Sequence, residues 1–162
     1  MIKNAKNLSS AETRQFALAY TMYFRNNCVF HYTDDKVDSK ELLHRGAPSF
    51  ARKMIQKIKN GSRIGFVNME GDLVNGFVVG NVGELDCGWI SHLYSDTGDS
   101  IADKIVLGNL FIEFANEMKR LGMKEIITDC EKDDPKLQSQ LEGLDFQVES
   151  KEGSLTSYGR HI

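Results

Sequence analysis

The chain has 162 residues, enough for one domain with one core and too few for a second of ordinary size. Hydrophobic residues make up 41% and charged residues 27%, which sets it apart from disordered chains. With 20 basic and 23 acidic side chains the net charge is -3, which argues against duplex nucleic acid as a partner.

The three cysteines, Cys28, Cys87 and Cys130, show no CxxC or Cys/His metal spacing and read as reduced thiols. No apolar segment follows the N-terminal lysines as a secretory signal would require. No apolar run reaches the roughly 18 residues needed to span a bilayer. The expectation is a cytoplasmic domain over residues 1–162, with no bound metal, no nucleic acid and no membrane partner.

In chain order, Ser9 to Glu12 has the S-x-x-E spacing of a capping box. Behind it Phe16, Tyr20, Tyr23 and Phe24 recur at helical spacing, and Asn26-Asn27 ends that helix. Cys28 to Tyr32 is a brief extended piece. A second helical segment follows Asp38-Ser39 and is broken at Gly46-Ala47-Pro48. A third runs from Ser49 through Phe50, Met54, Ile55 and Ile58 to Asn60-Gly61. Its basic residues Arg52, Lys53, Lys57 and Lys59 read first as a solvated face.

Arg63 to Met69 and Leu73 to Val82 are β-rich and joined by a turn at Glu70-Gly71-Asp72. Leu85 to Tyr94 is a third strand, which completes an antiparallel meander. The polar loop Ser95 to Ser100 leads into the longest helix. Val106, Leu110, Phe114 and Met118 repeat there beside Ile105, Ile112 and Leu121, with Gly122 as the terminating residue. Lys124 to Asp129 is a buried-type strand, expected to lie parallel to the earlier one in a right-handed βαβ unit. Asp134-Pro135 opens a short helix. Phe146 to Glu149 and Leu155 to Tyr158 form a last hairpin around Lys151-Glu152-Gly153.

This α/β order, an antiparallel meander plus a parallel βαβ unit flanked by helices, resembles the GNAT N-acetyltransferase superfamily over roughly residues 10–160. The stretches that carry the resemblance are Trp89 to Asp96 (WISHLYSD), Leu121-Gly122, Lys124 to Asp134 (KEIITDCEKDD) and Gly143 to Phe146 (GLDF). The resemblance implies acetyl-CoA or another acyl-CoA as co-substrate and a primary amine as acceptor. It also implies that the backbone of Leu93, Tyr94 and Ser95 orients the acyl group.

Family members hold the pyrophosphate on a loop R/Q-x-x-G-x-G/A, where glycines let backbone amides approach the phosphates at a helix N-terminus. The corresponding residues here run from Thr97 to Lys104, with Gly98, Ser100 and Ala102 at the small positions. No arginine or glutamine leads the loop, and Asp99 and Asp103 bring negative charge. The family's asparagine before the short helix is Asp134, its proton-donating tyrosine is Leu141, and its glycine before phenylalanine is Asp145. Leucine has no proton to give, so Tyr94 or Tyr158 would have to substitute as the acid.

Glu84, Asp86 and His92 are the candidate bases. Strand alternation puts all three on one face, with Gly88 and Ile90 between them. A histidine of ordinary pKa, about 6.5, could take a proton from an ammonium substrate. The competing reading makes His92 a hydrogen-bonded core residue and the two acids a solvated strand end. Cys87 and Cys130 read as small buried hydrophobes.

Three functions remain open. One is an acyl-CoA-dependent N-acyltransferase acting on a small-molecule or protein amine. Another is a protein of this fold that has lost acyl transfer and serves as a binding or assembly module for an unidentified protein partner. The third takes an aminoacyl or other non-CoA donor in the same cleft.

Overall fold

In the computed structural model the capping box forms in both directions: the Ser9 amide donates to Glu12 Oε2 at 2.9 Å and the Glu12 amide donates to Ser9 Oγ at 3.3 Å. The structure describes residues 1–27, 38–132 and 134–162, so the extended piece expected at Cys28 to Tyr32 lies outside the described residues. Helix α1 spans Ser10–Asn27 and buries Phe16 and Tyr20 completely.

Helix α2 spans Asp38–Lys59 without a break, where the sequence predicts two segments separated at Gly46-Ala47-Pro48. Ala47 and Ala51 are wholly buried and Ile55 and Ile58 nearly so, on one face against α1 and the sheet. That apolar face is continuous through Pro48 and outweighs the hydrogen bond a proline forgoes. Arg52, Lys53 and Lys57 are exposed, while Lys59 Nζ donates to the carbonyls of Lys6 and Leu8 at 3.0 and 2.8 Å.

Among the described residues seven strands form one sheet in the order β1-β2-β3-β4-β5-β7-β6. They are β1 (Ile2–Asn4), β2 (Ile64–Glu70), β3 (Leu73–Val82), β4 (Cys87–Ser95), β5 (Glu125–Glu131), β6 (Gln147–Glu152) and β7 (Leu155–His161). β1 is absent from the sequence reading because three residues carry no readable period; it pairs Ile2 with Asn68. The meander β2-β3-β4 is antiparallel, β4 and β5 are parallel, and β7 returns antiparallel to β5.

β4 starts at Cys87, two residues later than predicted, because Leu85 and Asp86 turn the chain with φ of 55° and 59°. The Gly83 amide donates to the Cys87 carbonyl across that turn at 2.8 Å, and Leu85 is 94% exposed.

Helix α3 spans Ser100–Arg120 and covers one face of the sheet through Leu107, Leu110, Phe111, Phe114 and Met118, packed against Val78, Ile90, Leu93 and Ile126. Ile105, Ile112 and Leu121, which the sequence sets beside that run, are exposed. The i+4 run through Leu110 sets the buried side, and those three fall outside its arc. Gly122, at φ 84°, ends the helix as predicted, with its amide on the Lys119 carbonyl at 3.0 Å. Helices α1 and α2 cover the other face, over Val67, Phe77 and Val79. Helix α4 spans Pro135–Gly143. Among the described residues no helix is long and apolar enough to cross a membrane.

Candidate functional site

Two parallel strands whose C-terminal halves part company leave a gap in the sheet. β4 and β5 pair only at Cys87–Glu125, Gly88–Ile126 and Trp89–Ile127, although β4 runs on to Ser95 and β5 to Glu131. Where they separate, Thr128 Oγ1 donates to the Ile90 carbonyl at 3.0 Å, a buried bond across the start of the gap.

Register decides which backbone groups face the gap. The Asp96 amide donates to the Asn75 carbonyl of the β3 side at 2.8 Å, so every second residue back along β4 bonds towards β3. The peptide groups of Leu93 and Ser95 lie between these and face the other way, where among the described residues β4 has no partner strand. Such an edge can pair with the amides of an extended ligand, as an added strand would.

A bulge in β4 sets the side chains. Val79 pairs with His92 and Gly80 with Ile90, which leaves Ser91 over. The bulge is crowded: a Cβ on Gly80 would lie 2.1 Å from the Trp89 carbonyl oxygen and 2.6 Å from Phe114 Cζ, so only glycine fits. Because of the extra residue, Ile90 and Leu93 both join the α3 side, while His92 turns to the α1 side. The shared face predicted for Glu84, Asp86 and His92 is therefore broken. Glu84 and Asp86 are exposed in the turn before β4, at the end away from the gap, and Asp86 pairs with Lys124 at 2.8 Å.

His92 sits among aromatic rings in the stretch of β4 that borders the gap. Its ring centroid is 5.5 Å from Tyr20, 5.2 Å from Tyr23 and 5.3 Å from Phe24, and Nδ1 shares a hydrogen bond with Tyr20 Oη. Tyr94 packs on Tyr23 and Phe77 on the same side. Burial first, and then the Asp96 carboxylate that its hydroxyl meets at 3.2 Å, pushes the Tyr94 phenol up to about 12. Tyr94 thus keeps its proton at neutral pH.

The loop after β4 is closed on itself. Asp99 Oδ1 accepts from the amides of Ile101 and Ala102 at 2.8 and 2.9 Å and so caps α3. Asp103 Oδ1 accepts from the Thr97 amide at 2.8 Å, Ser95 Oγ at 2.8 Å and Thr97 Oγ1 at 3.0 Å. Burial alone would raise Asp103, but these bonds prevail and hold its carboxyl below the usual range. Gly98 takes φ 77° in this turn, and Ser100 and Ala102 open the helix behind it.

On the β5 side Asp134 caps α4, with Oδ1 accepting from the Leu137 amide at 2.9 Å, as the sequence predicts for a capping residue. Leu141 is fully buried in the cluster that holds Cys130 and Tyr158. Burial, with Asp134 and Glu131 beside it, raises the Cys130 thiol to about 11, so it is inert as a nucleophile at neutral pH. Tyr158 is likewise raised by burial. The two features that sequence reasoning missed, the bulge and the Tyr20 partner of His92, are set by register and by tertiary approach. The one available signal was Gly80 inside an apolar strand.

The residues present fit coenzyme A, the co-substrate implied by the resemblance, in part. The free edge at Leu93 and Ser95 suits its amide-bearing pantetheine arm. The loop suits its pyrophosphate less well, because the amides of Thr97, Ile101 and Ala102 already serve carboxylates.

No protein-family model and no curated protein sequence matches the chain. Solved structures do. The PaiA N-acetyltransferase from Thermoplasma acidophilum in complex with coenzyme A superposes with a TM-score of 0.76 at 15% identity, over 100% of this chain and 99% of that one. An aminoglycoside 6'-acetyltransferase type Ii gives 0.73 at 12%, over 99% and 96%. The Campylobacter jejuni N-acetyltransferase PseH in complex with acetyl coenzyme A gives 0.62 at 15%, over 99% and 97%. At these identities the likeness is one of fold.

Proposed function

Taking as premise that the chain has the GNAT N-acetyltransferase fold, we propose that it is a one-domain, cytoplasmic, acyl-CoA-dependent N-acyltransferase that moves an acetyl group onto a primary amine. The amine belongs to a small molecule or a protein. The observation that carries this reading is the parting of β4 and β5 after Trp89 and Ile127, with the peptide groups of Leu93 and Ser95 turned into the gap.

Coenzyme A, when bound, supplies the acyl group as a thioester. The backbone from Leu93 through Tyr94 to Ser95 holds the extended arm and aims the carbonyl at the gap. Gly98, Ser100 and Ala102 keep the loop small where the donor passes, and Asp134, which caps α4 after β5, meets it from the other side. The amine enters from the α1 side, past the ring cluster. Tyr20 Oη and His92 Nδ1 share a hydrogen bond; in the tautomer with the proton on Nδ1, His92 accepts the ammonium proton at Nε2. The amine nitrogen then bonds to the carbonyl carbon as the carbon–sulfur bond breaks, and the proton it sheds on becoming an amide passes to the departing thiolate or to solvent. A thiol of ordinary pKa, about 8.5, leaves as thiolate without an acid, so Leu141 does not bar the reaction. Glu84 and Asp86, held in the turn before β4, take no part.

A second reading, a GNAT-fold binding or assembly module without acyl transfer, is favoured by the closed loop and by Leu141. A thermal-shift series with acetyl-CoA and longer acyl-CoAs, followed by mass spectrometry of amines incubated with donor, separates the two. A ligand at about 100 times its Kd adds about 2.7 kcal/mol, and the acyltransferase reading expects a saturable shift and an acylated amine. Folded protein that shifts with no acyl-CoA and acylates no amine would overturn it in favour of the second.

A further inference from the structure

Resting on the acyl-transfer reading above, we infer that Asp99 and Asp103 are donor-specificity residues, whose carboxylates disfavour the diphosphate of acyl-CoA and shift recognition onto the pantetheine arm. The loop they close begins at Ser95, the last residue of β4, where the gap ends. A donor lying along the Leu93–Ser95 edge would pass its phosphates over this loop.

Five of the donor groups around this loop are already engaged: the amides of Thr97, Ile101 and Ala102 and the hydroxyls of Ser95 and Thr97. All five point at two carboxylate oxygens of the chain itself, Asp99 Oδ1 and Asp103 Oδ1, at 2.8 to 3.0 Å. The next amide along the first turn, that of Asp103, is taken by the Asp99 carbonyl at 2.9 Å. A diphosphate would have to displace these acceptors, and each displaced cap costs about fivefold in affinity.

Charge works in the same direction. From Ser95 to Lys104 the loop carries Asp96, Asp99 and Asp103 against Lys104 alone. Lys136, on α4, is the cation that stabilises the Asp103 carboxylate. Phosphate oxygens brought among these acids meet repulsion, where a bare helix N-terminus would attract them. The pantetheine arm is uncharged and lies on the strand edge, so it meets neither obstacle.

The test compares two ligands on three proteins. Acetyl-CoA is titrated by calorimetry, and S-acetylpantetheine, which lacks the diphosphate, by ligand-observed NMR. The proteins are the parent, the double variant D99N/D103N and the double variant D99G/D103N. Asparagine retains the capping oxygen and removes the charge; glycine at 99 also frees the Ile101 and Ala102 amides, and both variants are checked for folding by circular dichroism. The expected result is that acetyl-CoA tightens about tenfold in D99N/D103N and further in D99G/D103N, while S-acetylpantetheine changes less than twofold. Acetyl-CoA binding that stays the same or weakens in both variants, with S-acetylpantetheine still bound, would overturn the inference and leave the acyl-transfer reading standing. Binding of neither ligand to any of the three would overturn both.

Discussion

Asp145 adopts φ 61°, in the left-handed region that favours glycine, at the position where the family resemblance expects one. Aspartate tolerates this region better than most residues, though glycine does so without a Cβ penalty. Asp145→Gly is expected to raise stability by about 0.5 kcal/mol in urea unfolding, the relief of strain being partly offset by a freer unfolded chain. At the site, His92 carries the sharper prediction. His92→Asn should lower kcat for N-acetyl transfer by about 10²–10⁴-fold while acetyl-CoA affinity stays within twofold. Tyr20→Phe removes the partner of Nδ1 and should move the acidic limb of the pH–rate profile rather than abolish turnover. A His92 variant with full activity would return the residue to a packing role among Tyr20, Tyr23 and Phe24.

At the scale of elements, the N-terminus of α1 is the place where pH should be felt. The Glu12 carboxyl is lowered to about 2, first by the Lys3 ammonium that bonds it and then by the Ser9 amide and hydroxyl. A carboxyl depressed in the folded state contributes stability above its ordinary pKa and loses it as pH falls through the folded value. Unfolding midpoints should therefore drop between about pH 4.5 and pH 2 in the parent, and drop less in Glu12→Gln. Ser9→Ala should cost about 1 kcal/mol at neutral pH, from the lost cap.

This capping box was legible in four residues, as were the meander, the α3 period and the Asp134 cap, because each is written in local spacing. The unbroken α2 was not, since a proline's local cost is visible in the sequence and the packing that outweighs it is not. The side of β4 that holds His92 was hidden for a related reason. One extra residue at Ser91 inverts the alternation, and it is fixed by the fit of Gly80 against Trp89 and Phe114 rather than by the strand's own composition.

For the molecule as a whole, the β4–β5 junction is the thinnest seam inside the sheet, matched only by the edge pair β1–β2, which is also joined by three residue pairs. Three residue pairs join β4 to β5, while seven join β3 to β4 and seven join β5 to β7. Thr128 sits at the end of the seam and supplies the one side-chain bond across it that reaches the Ile90 carbonyl. Thr128→Val keeps the shape and removes the donor, so it should destabilise by about 1–3 kcal/mol in urea unfolding. It should also loosen the gap more than it loosens the meander. A seam of three pairs divides the sheet into two cooperative blocks, β1 to β4 on one side and β5, β7 and β6 on the other, joined chiefly by the core under α3. Native-state hydrogen exchange should then resolve two protection classes instead of one global opening, with the β5–β7 amides released together at lower cost than those of β2 and β3. On that account the gap between β4 and β5 is the molecule's own first step of unfolding, stopped at three residue pairs.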